Sequence, residues 1–180
     1  MNDSKFIGAS IGWSRGAGFI PSGIIRRLEK SYFNHVYYRF DLCNGMSFIY
    51  ESHLTGGVQI TPYPHLRRAV RIGKVEDVHE VDLELNPWQM NKLWDSCEYL
   101  HGDGYDTWQI IRYYLAIRLH RKKLIRKKDD GRYTCNELIV EAGKNIVPKL
   151  YHTDFGFTPE PLFELFHGGI GSNAIFGEKH

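Results

Sequence analysis

The chain has 180 residues, of which 42% are hydrophobic and 24% charged, with a formal net charge of +2. That is enough chain for one domain with a single core, and the balance excludes a disordered or collagen-like polymer. No stretch approaches the roughly 20 apolar residues of a membrane span, and three widely spaced cysteines exclude a disulfide framework.

The segment "FIGASIGWS" (6–14) reads as a first strand, and "IPSGIIRRLEK" (20–30) as a short helix with Pro and Ser near its start. "HVYYRFDL" (35–42) and "MSFIYES" (46–52) flank "CNG" and read as a hairpin. In "GGVQITPYPHLRRA" (56–69) a short strand passes through a proline-rich turn into a helical turn. "VEDVHEVDLEL" (75–85) alternates with period two, as a strand does. Asn86 as N-cap, Pro87 at the first helical position and Gly102 beyond the end frame a helix. Further helices are expected over 105–127, 134–146 and 158–167. Strands come early and helices late, so the predicted fold class is α+β, with a mostly antiparallel sheet packed against helices in a single domain, 1–180.

The hairpin admits two registers. A two-residue "NG" turn pairs Cys43 with Met46 and splits the apolar side chains across both faces. A three-residue "CNG" loop, with Gly45 left-handed, pairs Leu42 with Met46 and Phe40 with Phe48. Val36, Tyr38, Phe40, Leu42, Met46, Phe48 and Tyr50 then share one face. Burial of one face fixes register, so the longer loop is expected. It leaves His35, Tyr37, Arg39, Asp41, Ser47, Ile49 and Glu51 on the other face, with Glu51 opposite Tyr37 and diagonal to His35. Diagonal neighbours lie within reach of a Glu side chain.

In "YTCNELIVEA" (133–142), Thr134 and Glu137 form a capping box, which puts Cys135 at the first helical position. Free backbone N–H groups and the helix dipole favour negative charge there, and cysteines so placed react as thiolates. The same amides are suited to receive an oxyanion. Cys135, Leu138, Ile139, Ala142 and Ile146 form one stripe, so the cysteine faces inward. That position suits a structural cysteine and also a nucleophile facing a histidine on a sheet. Cys43, at a hairpin tip, and Cys97, deep in a helix, have no such setting.

Residues 118–132, "RLHRKKLIRKKDDGR", hold eight of the 23 Lys and Arg residues and two acids, a local charge of +6. Such a run is either a solvated helix end and loop or a patch for an anionic partner. "HGDGYD" (101–106) lacks the carboxylate spacing of a calcium loop and reads as a helix stop and restart. The nine histidines show no pair at ligand spacing, so no metal or other cofactor is expected.

Taken in order, "SYFNHVYYRF", "FIYES", "GDGYDTW" and "YTCNELIVEA" resemble motifs of the circularly permuted, YiiX-like branch of the NlpC-type papain-like cysteine hydrolases, distant relatives of lecithin retinol acyltransferase. In that branch the histidine strand precedes the cysteine helix, as here. The resemblance spans about residues 6–146 and implies a permuted papain-like fold, with a C-terminal helical extension from about 147. It implies Cys135 as nucleophile, His35 as general base and Glu51 as the group that orients the imidazole, with His53 the other candidate for that third role. Tyr37 and Tyr133 are the expected substrate contacts. Asn136 stands where the family usually has Ser, and the bulky "HVYYRF" replaces a run of small residues.

The implied activity is thiol hydrolysis of amide bonds, in peptides or amino-acid conjugates, through a Cys-His-Glu triad and a thioester. A lipid ester or acyl transferase of the same fold, and a non-enzymatic module that docks an anionic partner through its basic segment, are the alternatives. The N-terminus has no basic start followed by an apolar run, so no signal peptide is expected, and a cytoplasmic or phage-associated location is. No nucleic-acid motif is present.

Overall fold

A computed structural model describes residues 5–16, 31–53, 56–108, 112, 131–151 and 159–176. The expected helix at 20–30, most of that at 105–127, and the basic segment up to residue 130 lie outside the described residues. Five strands form one antiparallel sheet: β1 (Phe6–Gly16), β2 (His35–Leu42), β3 (Ser47–His53), β4 (Gly57–Pro62) and β5 (Val75–Asp82), in the order β4-β3-β2-β1-β5. The α+β class and the antiparallel sheet are as the sequence indicates.

The hairpin has the three-residue loop. The Leu42 amide donates to the Met46 carbonyl at 2.8 Å, the Gly45 amide to the Leu42 carbonyl at 3.0 Å, and Gly45 has φ 80°. Tyr38 pairs with Tyr50 and Phe40 with Phe48. Val36, Tyr38, Phe40 and Tyr50 are fully buried, whereas Met46 at the tip is half exposed.

Three helices press on that apolar face. The helix α1 (Tyr63–Arg71) precedes them in the chain and packs elsewhere, against β3 and β5. Helix α2 (Pro87–Tyr99) packs on β1 and buries Met90, Leu93 and Cys97. Its Asn86 cap is reciprocal, because Gln89 N donates to Asn86 Oδ1 and Asn86 N to Gln89 Oε1, each at 3.0 Å. Helix α3 (Cys135–Gly143) packs on β2 and β3, and the Tyr38 hydroxyl donates to the Ile139 carbonyl at 2.8 Å. Helix α4 (Pro159–Phe166) sets Phe163 edge-on to Trp13, with ring centres 5.3 Å apart. A last short helix, α5 (Ser172–Phe176), follows it. Leu162, Phe163 and Phe166 belong to the same buried cluster as Trp13 and Leu138, so α4 completes the domain core. Among the described residues no helix is long and apolar enough to cross a membrane.

Three local expectations change. The helical turn after β4 is a nine-residue helix, α1, which starts directly at the prolines. Pro62 caps it and Pro64 falls in its first turn, where a missing N–H costs no helical bond. The helix expected to restart at Tyr105 does not include that residue. Gly104–Tyr105 (β6) instead pairs in parallel with Arg132–Tyr133 (β7). The helix that begins at Cys135 stops at Gly143 rather than running to 146.

The second face of the hairpin is also covered. Tyr37 is fully buried, Ile49 is 3% exposed and Glu51 is 9% exposed. Tyr37, Gly12 and Glu80 lie side by side across β2, β1 and β5. The Tyr37 ring crosses over Gly12, where an added Cβ would fall 2.3 Å from it, and its hydroxyl donates to Glu80 Oε1 at 2.7 Å. Arg39 also bonds Glu80, and Tyr63 at the start of α1 donates to the same carboxylate at 3.2 Å.

Candidate active site

The capping box that opens α3 forms as expected. The Glu137 amide donates to Thr134 Oγ1 at 3.4 Å, and the Thr134 amide donates to Glu137 Oε2 at 3.1 Å. Cys135 is therefore the first helical residue, and it is 4% exposed. Leu138, Ile139, Ala142 and Ile146 behind it are buried, as the stripe requires.

His35 is the first residue of β2, as Cys135 is of α3, and the two side chains meet there. The thiol lies within hydrogen-bonding reach of the imidazole. On the other side, His35 Nε2 is 2.8 Å from Glu51 Oε2. With Nε2 engaged by the carboxylate, Nδ1 is the nitrogen left for the thiol. Glu51 is itself held, because its Oε1 accepts from Gln59 Nε2 at 3.2 Å and from Thr61 Oγ1 at 3.1 Å, both on β4. A carboxylate fixed by two donors and bonded to one ring nitrogen sets both the tautomer and the plane of the imidazole.

The electrostatics follow from these contacts. Burial alone would lower the His35 pKa, but the bonds to Cys135 and Glu51 and their charge outweigh it and push the imidazole up to about 10. Burial alone would raise Glu51, but the bond to His35, its charge and the Gln59 amide pull that carboxyl down to about 2. At neutral pH the pair is therefore an imidazolium against a carboxylate.

Neighbouring bonds lock the two sides together. Residues next to each other along a strand face opposite ways. While Glu51 holds His35, Ser52 points to the other face and donates from Oγ to the Tyr133 carbonyl at 2.8 Å. Strand β3 thus grips both His35 and the chain two residues before Cys135.

His53 is exposed and does not make the contact that Glu51 makes. Tyr37 requires a correction. Its ring stacks near His35 at 6.3 Å, but it is fully buried and its hydroxyl is committed to Glu80, so it has no face for a substrate. Burial and the Glu80 charge hold its phenol well above the usual range. Tyr133 is 9% exposed and packs in the core cluster, where it supports the start of α3.

Tyr105 is a neighbour that the sequence reading passed over. Its pairing with Tyr133 carries it toward Cys135. Burial, followed by the charges of Cys135, Glu137 and Asp106, keeps its phenol above the ordinary range. The available signal was the "YD" of "GDGYD", which reads locally as a helix break. Grooves of about 610 and 760 Å³ lie at the hairpin tip and between α1 and β5. Neither is lined by Cys135, His35 or Glu51.

No protein-family model matches the sequence, and no curated protein matches it. Among solved structures, the chain is similar to the crystal structure of metalloprotein YiiX from Escherichia coli O157:H7. The TM-score is 0.59 at 16% sequence identity, covering 97% of this chain and 84% of that one. Similarity at this identity extends to the fold. As to a metal, among the described residues no three His, Cys, Asp or Glu side chains group as ligands, and His35 is already engaged by Glu51 and Cys135. The chain shares the α+β fold of YiiX, and around Cys135 it assembles a buried thiol, an imidazole and a carboxylate in sequence.

Proposed function

We propose that this chain is a thiol hydrolase of permuted papain-like fold, cleaving amide bonds in peptide-like substrates. The observation that carries the reading is the His35 imidazole held between the Cys135 thiol and the Glu51 carboxylate, with Cys135 at a capped helix N-terminus. The order of the motifs and the fold shared with YiiX support it.

The chemistry follows from these positions. The proton shared by thiol and imidazole rests on His35, so the reaction starts from a thiolate beside an imidazolium that Glu51 stabilises. The thiolate attacks the carbonyl carbon, the C–S bond forms, and the oxygen gains charge beside the free amides of the first helical turn. As the C–N bond breaks, His35 returns its proton to the departing amine. Water then attacks the thioester while His35 accepts its proton. The C–S bond breaks, and thiol and carboxylic acid are released.

The test is alkylation of the native protein with iodoacetamide across pH 5–9, with mapping of the modified cysteine. Cys135 should label preferentially below pH 7, and His35→Ala should abolish the preference. The exposed Cys43 serves as the internal standard. A Cys135 that stays inert in folded protein while Cys43 reacts would sink the reading.

A further inference from the structure

We infer that Glu160, on the C-terminal helix α4, is a positioning residue for His35. The inference rests on the thiol-hydrolase reading and extends it to a part of the chain outside the motifs that carry that reading.

Residues 31–34 lead directly into His35 and precede the strand ladder, whose pairing with β1 begins at His35 opposite Ser14. They are tied from two sides. Toward β1, the Asn34 amide donates to the Ser14 carbonyl at 3.2 Å, and the Gly16 amide donates to Asn34 Oδ1 at 3.0 Å. Toward the C-terminus, Glu160 Oε2 lies 2.7 Å from the Ser31 hydroxyl, which shares its proton with the Phe33 carbonyl, also 2.7 Å away. Glu160 accepts from Ser172 as well, at 2.6 Å from the amide and 2.5 Å from the hydroxyl. The Ser172 hydroxyl in turn accepts from the Tyr32 amide at 2.9 Å. One carboxylate thus joins α4, the start of α5 and two consecutive residues of the lead-in.

Three features separate this clamp from ordinary surface pairing. Its partners are small and buried, with Ser31 at 4% and Ser172 at 0% exposure. Among the described residues no Lys or Arg pairs with Glu160, so its charge is spent on hydrogen bonds that fix the chain. The fixed segment ends at a side chain that must satisfy two partners at once. A His35 displaced by a fraction of an ångström loses either its 2.8 Å contact to Glu51 or its reach to the thiol.

Full-length Glu160→Ala, Glu160→Gln and Ser31→Ala test this, with three readings on each: the thermal midpoint, the His35 ring titration by NMR, and the pH dependence of Cys135 alkylation. Glu160→Ala should lower alkylation at pH 7 by about tenfold and move the His35 midpoint down by about one pH unit. Glu160→Gln, which keeps an acceptor for the Ser172 amide, should restore most of both, and Ser31→Ala should fall between. A Glu160→Ala protein that is less stable but keeps the wild-type midpoint and alkylation profile overturns the inference and leaves only an anchor. Should Glu160→Ala fail to fold, a wild-type midpoint in both other variants overturns it equally. A wild-type protein with unreactive Cys135 defeats the hydrolase reading instead, and the His35 midpoint still decides for or against the clamp.

Discussion

Replacing Glu51 by Gln removes the charge beside His35 while leaving an amide oxygen to accept the Nε2 proton. The structure sets the size of the effect. Glu51 is drawn from 4.5 to about 2, a shift of about 2.5 units (4.5 − 2), which corresponds to roughly 3 kcal/mol of preference for the ionised form. His35 supplies the larger favourable part and Gln59 a smaller one. By reciprocity the imidazolium owes a similar coupling to Glu51, so its midpoint should fall by about one to two units from about 10 in Glu51→Gln. The sign follows from both partners. The raised His35 contributes stability that is complete below about 6.5 and is lost as pH rises through about 10. The lowered Glu51 contributes stability that is complete above about 4.5 and is lost as pH falls through about 2. Wild-type stability from the pair is therefore fullest between these limits. The variant should lose the acid-side dependence and show its alkaline decline at lower pH. Ring-resonance titration of His35, alongside urea unfolding at several pH values, measures both. An unchanged His35 midpoint in folded Glu51→Gln would refute the coupling and with it the orienting role of Glu51.

Thr134→Ala removes the cap of α3 and should cost about 1 kcal/mol in chemical denaturation, with slower alkylation of Cys135. Gly12→Ala drives a methyl into the Tyr37 ring and should cost about 1–3 kcal/mol by overpacking, read as a lower thermal midpoint. Phe163→Ala should cost about 3–5 kcal/mol, because α4 belongs to the shared core; a truncation-like null effect would show the C-terminal helices to be an appendage.

The parts of the site legible in the sequence were those with a local rule. Alternation of Val36, Tyr38 and Phe40 against Phe48 and Tyr50 chose the hairpin register, and that register brought Glu51 to His35. Thr134 and Glu137 announced the helix start that holds Cys135. What stayed hidden depended on distant partners. Tyr37 looks the same in sequence whether it faces a cleft or crosses Gly12 to reach Glu80, 43 residues away. Helix α1 opens at Pro62 and Pro64, which read locally as a turn, so the sequence shows only a helical turn where nine residues are helical. The link from Glu160 to Ser31 spans 129 residues and leaves no periodic trace.

The consecutive pair Glu51 and Ser52 has one more consequence. A slip of β3 by a single residue turns every side chain to the opposite face. Glu51 would then leave His35 in the same movement that takes Ser52 off the Tyr133 carbonyl. Registry errors in this hairpin are thus all-or-none for the site: a misfolded copy loses the Glu51 contact to His35 and the Ser52 tether to Tyr133 together.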